Sequence, residues 1–286
     1  MSRFGFRTRN GAISSFIEGV VGTTSDADAD AYFARVTAAG GTLTQTEKDA
    51  VTALVLSLKA NNIWTLMKAV YPMVGASAAA CAQNLKSSSN TATFTSGWTF
   101  ASAGINGNGA SAYMNTNFNP TTELSFANAH ISIYKNSGTI STTDKVNGVY
   151  DIGGNPVSFS LSPDRSTSVY TAGELGYYFS PSVIVNGDAN LQGNGFYVVA
   201  RNANNFVRMT KNNTNTATNT NLSTLTNYPN DTFWLGATHQ ASTSSPVAPN
   251  DFRYTFLSFG FYLDATQTNN FYSAVQTFQT SLSRQI

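Results

Sequence analysis

Hydrophobic positions change their spacing along the chain at about residue 75. Before that point, apolar residues recur every three or four positions, which is the spacing of an amphipathic helix. Beyond it, short runs rich in Phe, Tyr, Ile, Val and Thr alternate with clusters of Gly, Asn and Pro, which is typical of strands joined by turns. The pattern therefore predicts a small helical segment followed by a larger all-β domain.

Two amphipathic helices are predicted before residue 61. The first covers residues 26–39, with Ser25 or Asp26 as its N-cap. The second opens at Thr44, because Thr44 followed three positions later by Glu47 is a capping-box pattern. Neither helix can bury its apolar stripe alone, so we expect both to pack on each other or on the β domain.

Two further helices are predicted from the same spacing. A short one runs from Ile63 to Val70. The last one runs from about residue 264 to residue 282, with Asp264 or Thr266 as its cap and one apolar stripe along its length. The β domain is therefore expected to end in a helix.

Short strands are predicted between residues 91 and 261, with a spacing of about 8–12 residues that is typical of a β-sandwich or barrel. The polar tract 212–226 lies between two of them and is predicted to be a long hairpin or loop. The predicted strands are Thr91–Phe94, Ala110–Asn115, Ala129–Tyr134, Gly148–Ile152, Val157–Leu161, Ser168–Thr171, Ile184–Val185, Gly195–Arg201, Asn205–Lys211, Phe233–Ala237 and Thr255–Phe261.

The chain divides on this basis into three parts. Residues 1–25 have weak periodicity and are predicted to be an extended arm, residues 26–75 a helical lead-in for docking or oligomerisation, and residues 76–286 the β domain. The arm carries an apolar patch that is suited either to docking on a partner or to adding a strand to the chain's own domain. This patch consists of Phe16, Ile17, Val20 and Val21.

Charged residues are unusually few. Asp, Glu, Lys and Arg make up 11% of the chain, against about 25% in an average protein, and the net charge is +1. A neutral chain gives no electrostatic case for nucleic acid or an anionic membrane as a partner. No apolar run approaches the roughly 20 residues that span a bilayer, and the arginine-bearing N-terminus has no apolar core typical of a signal peptide. We therefore expect a protein that is made in a cytoplasm and is not inserted into a membrane.

Two blocks of residues carry a family resemblance. The first contains Trp64, Met67-Lys68, Val70-Tyr71-Pro72, Asn84-Leu85-Lys86, Gly97-Trp98, Asn106-Gly107, Tyr113-Met114-Asn115-Thr116 and Asn119-Pro120. The second contains Phe233-Trp234-Leu235-Gly236-Ala237, Phe256–Tyr262, Phe271-Tyr272, Val275–Gln279 and Leu282. Together they resemble tailed-bacteriophage virion proteins with a concanavalin-A-like (laminin-G-like) jelly roll behind a short helical lead-in. The resemblance covers residues 26–286; Ser283 stands where such proteins often have the glycine of a Leu-Gly-Arg ending.

The resemblance implies a mainly β fold: a concanavalin-A-like antiparallel sandwich, or jelly roll, with a helical lead-in and a C-terminal helix. It also implies a non-enzymatic structural component of the virion, either a head decoration or fibre or a tail appendage, made in the bacterial host cytoplasm. Other virion proteins are the implied partners. We expect a homo-oligomer, a trimer or a ring, whose assembly surface includes the arm patch together with Trp64 and Met67.

The alternative function is a receptor that binds bacterial surface polysaccharide. Glycan binding needs an aromatic platform for the apolar face of a sugar and polar side chains for its hydroxyl groups. Tyr177 and Tyr178 can supply the platform, and Asn202 and Asn204 the polar groups. The sequence favours a buried sandwich core as the role of these aromatic residues, because Tyr and Phe dominate such cores.

Polysaccharide hydrolysis is a third function that this fold suggests, and it needs two carboxylates close together. Jelly-roll glucanases place theirs in a Glu-x-Asp-x-x-Glu pattern on one strand, which this sequence lacks. Its glutamates are scattered, at Glu18, Glu47, Glu123 and Glu174. We therefore predict that the protein is not an enzyme and has no catalytic residue.

No cofactor or metal site is predicted from the remaining polar residues. The single cysteine, Cys81, excludes an internal disulfide and is expected to be a small buried hydrophobe. His130 and His239 have no sequence neighbour that would orient a catalytic base, so structural roles are expected for both. Calcium is the one ion left open, because several aspartates lie near predicted loops, where they also form turns. They are Asp144, Asp151, Asp164, Asp188, Asp231 and Asp251.

Overall fold

The chain folds into three layers: a helical layer, a large β-sheet and a smaller β-sheet. The structure is a computed structural model that describes residues 25–125, 128–138, 145–151, 157–164, 193–203, 206–220, 227–241 and 246–286. Within these residues the α-helices are α1 (Ala27–Ala38), α2 (Gln45–Ala60), α3 (Ala78–Cys81), α4 (Pro120–Glu123) and α5 (Ala265–Ser281). None of these helices has the length and apolar character that crossing a membrane requires.

The predicted caps of the three long helices are confirmed. Asp26 accepts hydrogen bonds from the first turn of α1, and Thr44 and Glu47 form the capping box of α2. Asp264 caps α5 through a second capping box with Gln267. These short-range signals fix where each helix begins without help from the rest of the fold.

Fifteen strands in the described part of the chain form the two sheets. They are β1 (Met67–Tyr71), β2 (Thr93–Phe94), β3 (Thr99–Ala101), β4 (Gly104–Asn106), β5 (Met114–Asn115), β6 (Ala129–Ser137), β7 (Lys145–Asp151), β8 (Val157–Asp164), β9 (Gly195–Ala203), β10 (Phe206–Lys211), β11 (Thr214–Asn219), β12 (Trp234–Leu235), β13 (Thr238–Gln240), β14 (Pro246–Val247) and β15 (Arg253–Gly260). The large sheet has the order β11-β10-β9-β6-β15-β4-β3, with β1 also paired to β15. The small sheet has the order β14-β13-β7-β12-β5-β2, with β8 paired to β7.

The pairs between described strands are antiparallel except that β13 runs parallel to β7. This exception arises because the chain bends between β12 and β13 at Gly236, whose φ is +89°. The two segments then lie beside the same strand in opposite directions. The predicted mainly β antiparallel sandwich with a C-terminal helix is confirmed.

An aromatic core fills the space between the two sheets. Phe118 stacks on Phe259 with ring centres 4.4 Å apart, and Phe233 meets Phe259 edge-on at 4.7 Å. Phe159 joins them from β8. Offset and edge-to-face aromatic pairs of this kind add to the free energy gained by burying the rings.

A second core lies between the large sheet and the helical layer. Along β9, Tyr197 and Val199 point into the inter-sheet core, whereas Phe196 and Val198 point towards the helices. Phe196 meets Phe271 of α5 at a ring distance of 5.2 Å. The large sheet is therefore buried on both faces, and α1 and α2 share this second core with α5.

The predicted helix from Ile63 to Val70 is wrong. The chain makes a 3-10 turn at Trp64–Leu66 and then forms β1, which pairs antiparallel with β15. Ala69 belongs to the inter-sheet core, and Met67 and Val70 belong to the helix-facing core. A strand buried on both faces has no alternation of apolar and polar residues, so its pattern is easily mistaken for a short helix.

Most predicted strands are confirmed where the structure describes them. Each predicted strand overlaps an observed one except two, Ser168–Thr171 and Ile184–Val185, which lie outside the described residues. The polar tract forms the predicted hairpin as far as residue 219: Asn212 and Asn213, with φ of +47° and +65°, turn β10 into β11. The very short strands β3, β4, β13 and β14 were not predicted, because two or three residues carry no readable alternation.

Arg284 connects the C-terminus to the large sheet. Its guanidinium is buried and donates hydrogen bonds to the carbonyl oxygens of Met73 at 2.7 Å, Pro72 at 3.2 Å and Thr255 at 3.3 Å. Burial lowers the pKa of Arg284 to about 10, which still leaves the group charged at neutral pH. The guanidinium therefore donates hydrogen bonds to carbonyl oxygens that follow the end of β1 and to one in β15, close to the C-terminal end of α5.

Replacing Phe271 with alanine tests whether α5 is an integral part of the fold. Phe271 is fully buried between Phe196 and Phe256, so F271A should lower the free energy of unfolding by about 3–5 kcal/mol in urea denaturation. N269A, at an exposed position on the same helix, is the matched control and should change it by no more than about 0.5 kcal/mol. Equal, small effects of both variants would contradict the packing of α5 on the large sheet.

Candidate functional site

The outer face of the small sheet is the best candidate for a binding surface. The outer face of the large sheet is covered by the helices at its strands β1, β6, β9 and β15. On the small sheet, Tyr113 and Trp234 lie on the side opposite Met114 and Leu235, which both belong to the inter-sheet core. Neither Tyr113 nor Trp234 belongs to either core cluster.

Three stacked rings form an aromatic ladder on this sheet. Tyr113 lies parallel to Trp234 with ring centres 3.8 Å apart and an interplanar angle of 7°. His239 covers the other face of Trp234 at 3.9 Å and 2°. Trp234 and His239 are buried, whereas Tyr113 is partly exposed. Tyr113 is therefore the member of the ladder that can present a ring face to a ligand.

His239 is held in place by the segment before β12. Its Nδ1 lies 3.0 Å from the carbonyl oxygen of Thr232, so Nδ1 carries the hydrogen that is donated to this oxygen. The Asp231 carboxylate oxygen Oδ1 lies 3.6 Å from the same nitrogen and accepts a hydrogen bond from the backbone N–H of Thr232 at 2.7 Å. The ladder thus ends at a carboxylate whose side chain is 33% exposed.

Two hydrogen-bonding side chains belong to this part of the small sheet. The indole Nε1 of Trp234 is buried and donates no hydrogen bond to any described residue. Asn115 follows Tyr113 on the same side of β5, is partly exposed, and uses its Oδ1 to accept from the N–H of Asn117 at 2.9 Å. A ring face beside a side-chain amide can bind a molecule that has both an apolar face and hydroxyl groups.

A buried polar network supports the ladder from below. The Asn147 side-chain oxygen accepts from the backbone N–H of Gly236 at 2.8 Å and from the Tyr254 hydroxyl at 2.6 Å. Gly236 in turn packs against the Trp98 ring, and a Cβ at this position would lie 2.8 Å from it. The bend that follows Trp234 is therefore fixed by hydrogen bonds and by close packing.

One of the four sequence-predicted glycan residues, Asn202, lies among the described residues. Tyr177, Tyr178 and Asn204 lie outside the described residues, so their role stays a prediction. Asn202 is exposed near the end of β9 and belongs to the large sheet, not to the sheet that carries the ladder.

Two of the predicted assembly residues are buried within the chain. Trp64 and Met67 lie in the helix-facing core, and the Trp64 indole donates a hydrogen bond to Asp28 at 3.0 Å. Their apolar character is thus explained by intramolecular packing. The remaining assembly residues, Phe16, Ile17, Val20 and Val21, lie outside the described residues.

His130 is a buried structural residue under α5. Its Nδ1 lies 2.6 Å from the carbonyl oxygen of Phe261, and its Nε2 lies 3.3 Å from the Ser258 hydroxyl. Ser258 pairs in turn with the Ser132 hydroxyl at 2.7 Å. Burial lowers the pKa of His130 to about 4, so the imidazole is neutral at pH 7. No described carboxylate orients the ring, and no solvent reaches it.

Cys81 is buried as predicted. Its thiol faces the carbonyl oxygen of Val74 at 3.4 Å, and burial raises the pKa of the Cys81 thiol to about 12. It packs as a small hydrophobe and is unreactive at neutral pH.

The described carboxylates are dispersed. Glu47 is used by the α2 capping box and by the N–H of Gly75, and Glu123 accepts from the Asn90 amide. Glu18, Glu174, Asp144 and Asp188 lie outside the described residues. Within the part of the chain that the structure describes, no three His, Cys, Asp or Glu side chains are grouped to hold a metal ion. The prediction of no cofactor, with calcium left open, stays a prediction.

Comparison with known proteins shows the fold and not a family. No protein-family model matches the chain, and no curated protein sequence matches it. Domain 4 of AbnA, an extracellular arabinanase from Geobacillus stearothermophilus in complex with arabinotriose, is similar with a TM-score of 0.51 and 15% identity, over 72% of this chain and 98% of that domain. The chain is a β-sandwich of the same kind.

Two further similar structures are more distant. A Trypanosoma rangeli sialidase in complex with sialic acid has a TM-score of 0.48 and 9% identity, over 77% of this chain and 38% of the sialidase. The CBM40 domain of the Ruminococcus gnavus IT-sialidase, bound to sialyllactose, has a TM-score of 0.35 and 14% identity, over 52% of this chain and 88% of that domain. These likenesses concern the fold alone, and the virion setting stays a prediction of the sequence.

The ladder itself was not predicted from the sequence. Tyr113 and Trp234 were noted only as parts of the family resemblance, and His239 only as an unoriented histidine. The one local signal is an aromatic residue next to a core residue in both segments: Tyr113 directly before β5, and Trp234 in β12. That the two rings meet depends on strand pairing across more than a hundred residues, which periodicity does not reveal.

The buried neutral His130 should make stability depend on pH. Its pKa of about 4 in the folded state lies below the value of about 6.5 in the unfolded chain, so the unfolded chain binds the extra proton as the pH falls from 6.5 towards 4. The free energy of unfolding should therefore fall by about 3 kcal/mol from this group between pH 7 and pH 4.

Urea denaturation of H130Q at pH 7 and pH 4 isolates the contribution of His130 to the pH dependence of the free energy of unfolding. H130Q should lose less stability on acidification than the wild type by that amount, while S132A, which keeps the imidazole, should follow the wild-type slope. Parallel pH profiles for H130Q and the wild type would show that His130 does not titrate as described.

Proposed function

We propose that the protein binds carbohydrate through the outer face of the small sheet. The observation that carries this proposal is the ladder of Tyr113, Trp234 and His239, which presents one partly exposed ring on the same side of the sheet as the partly exposed Asn115 amide. A sugar ring has an apolar C–H face that stacks on such a ring and hydroxyl groups that pair with amides and carboxylates. An aromatic ring and polar side chains are both present here on the outer face of the small sheet.

The composition of the protein supports a neutral, hydrogen-bonded mode of binding. With 11% charged residues and a net charge of +1, long-range attraction contributes little to binding. The similar arabinanase domain is in complex with arabinotriose. That likeness shows the fold alone, and it suggests arabinotriose as the first ligand to test.

Binding is proposed here in place of hydrolysis. The described glutamates serve a helix cap and a loop contact. Among the described residues, one carboxylate, Asp231, contacts the ladder, where glycoside hydrolysis uses two. The virion setting, the partner virion proteins and the trimeric or ring assembly are separate proposals that rest on the sequence resemblance. Glycan binding by a displayed sandwich is compatible with them.

Removing the Tyr113 ring tests the proposed site. The wild type is first applied to a glycan array that includes arabinotriose, and the affinity for the best ligand is measured by isothermal titration calorimetry. Because stacking on one aromatic ring is worth roughly one kcal/mol, Y113A should weaken binding by about fivefold to tenfold.

Two variants serve as controls for Y113A. Y113F keeps the stacking face and should retain affinity within about twofold. Y272A removes a partly buried tyrosine of α5 on the opposite side of the sandwich and should leave affinity unchanged, with folding of all variants checked by circular dichroism. Wild-type protein that binds no glycan on the array would contradict the proposed function, and full affinity in Y113A would place the site elsewhere.

A further inference from the structure

The free ring face of Tyr113 points towards the edge of the small sheet. The stacked rings follow one another across the strands, from His239 in β13 through Trp234 in β12 to Tyr113 directly before β5. Because Trp234 covers one face of Tyr113 with a nearly parallel plane, the other face points away from β12. The neighbour of β5 on that side is β2, at the end of the strand order. A sugar stacked on Tyr113 therefore lies above β2.

Two opposed pairs of residues lie along β2 and β5. Thr93 is paired with Asn115. Thr95 lies opposite Tyr113, because its backbone N–H donates to the Tyr113 carbonyl oxygen at 3.1 Å. Opposed residues of an antiparallel pair share one face of the sheet, so both pairs are on the outer face with the ladder. They are two residues apart along the strand, or about 6.8 Å, which is comparable with the length of one sugar unit. A sugar on Tyr113 thus places the next sugar of its chain beside Thr93 and Asn115.

The pair of Thr93 and Asn115 offers hydrogen-bonding groups that the fold does not use. Asn115 accepts from the N–H of Asn117 through Oδ1, and its Nδ2 makes no hydrogen bond with a described residue. Thr93 is exposed, and its hydroxyl likewise makes no hydrogen bond with a described residue. By contrast, the hydroxyl of Thr95 is bonded to the backbone of Tyr113. One pair therefore supplies a stacking ring, and the other supplies polar groups for the neighbouring sugar.

Both ends of this row of residues are small and exposed to solvent. Ser111 precedes Tyr113 by two positions, with a buried alanine between them, and Thr91 precedes Thr93 in the same way. The Asn117 amide donates to the Thr91 carbonyl oxygen at 2.7 Å, so the contact between the two segments continues past β2 and β5. A site for a chain end needs a wall that stops the next sugar, whereas an open row lets a polymer continue in both directions.

We propose that the Tyr113 site binds an internal segment of a linear polysaccharide, laid along β2, and does not recognise a chain end. This inference rests on the proposed carbohydrate-binding function and names its substrate class. Tyr113 stacks on one sugar, and Asn115 and Thr93 bond to hydroxyl groups of the next. Residues 87–122, which include this whole row, contain no Asp, Glu, Lys or Arg, so the row itself binds through stacking and neutral hydrogen bonds.

A series of ligand lengths tests the inference on the full chain. The best linear ligand from the glycan array is titrated calorimetrically as its monosaccharide, its disaccharide, its tetrasaccharide and the tetrasaccharide with its reducing end converted to an alditol. The disaccharide should bind about fivefold more tightly than the monosaccharide, because it adds hydrogen bonds to the second pair. Reduction of the end sugar should leave the affinity of the tetrasaccharide unchanged.

An asparagine variant tests the second pair directly. N115A should leave the affinity for the monosaccharide unchanged and reduce the advantage of the disaccharide to within about twofold. N202A removes an exposed asparagine from the end of β9 in the large sheet and is the matched control, which should keep the wild-type ratio.

Two further variants place an obstacle at either end of the row. S111L and T91L each introduce a bulkier side chain that can neither hydrogen-bond nor stack as a flat ring, and both should weaken retention on the immobilised polysaccharide. T99L makes the same kind of change at an exposed position of β3 in the large sheet and should have no effect. A site for a chain end is already closed on one side, so only one of the two obstacles would weaken it. Circular dichroism checks the folding of every variant.

Each outcome has a distinct meaning. Full affinity for the monosaccharide, loss of binding on reduction of the end sugar, or undiminished retention of S111L or T91L would overturn the internal-segment inference while leaving carbohydrate binding intact. A wild-type chain that binds no glycan would overturn the proposed function and this inference together.

Discussion

Burial of the large sheet on both faces is the constraint on which the rest of the structure depends. Its central strand β6 is buried from Ala129 to Lys135, so no row of side chains in that stretch reaches water. One face is filled by the aromatic core under the small sheet, and the other by α1, α2 and α5. The helices are therefore not an appendage to a finished sandwich, because without them Phe196, Phe256 and Val70 would be exposed to solvent.

This arrangement also decides where a ligand can bind. A sandwich offers two outer faces, and the helices occupy one of them, so the outer face of the small sheet remains for recognition. The short strands of that sheet are fixed from below by the buried hydrogen bonds of Asn147, which hold the Gly236 bend and the Tyr254 hydroxyl. Such support keeps the rings of the ladder in one geometry, which lowers the entropy lost when a ligand binds.

The sequence predicted the local features well and the long-range ones poorly. Caps are set by neighbouring residues, so the start of α1 at Ser25 or Asp26 and the Thr44–Glu47 box could be located in advance. Strand β1 was misassigned, because burial on two faces removes the alternation that identifies a strand. The ladder could not be predicted either, because it forms only when β5 and β12 pair. The aromatic residues proposed from the sequence as a sugar platform, Tyr177 and Tyr178, lie outside the described residues.

The ladder's modest size has a consequence for how the protein would work. One exposed ring and a few hydrogen bonds give a single site only weak affinity for a sugar, because stacking and polar pairing each contribute roughly one kcal/mol. Useful binding to a polysaccharide surface then requires several sites that act together. The trimer or ring predicted from the sequence would supply them, since linked sites raise avidity by orders of magnitude without new contacts. The two predictions, oligomeric assembly and glycan binding, therefore support each other physically, although they come from different residues of the chain.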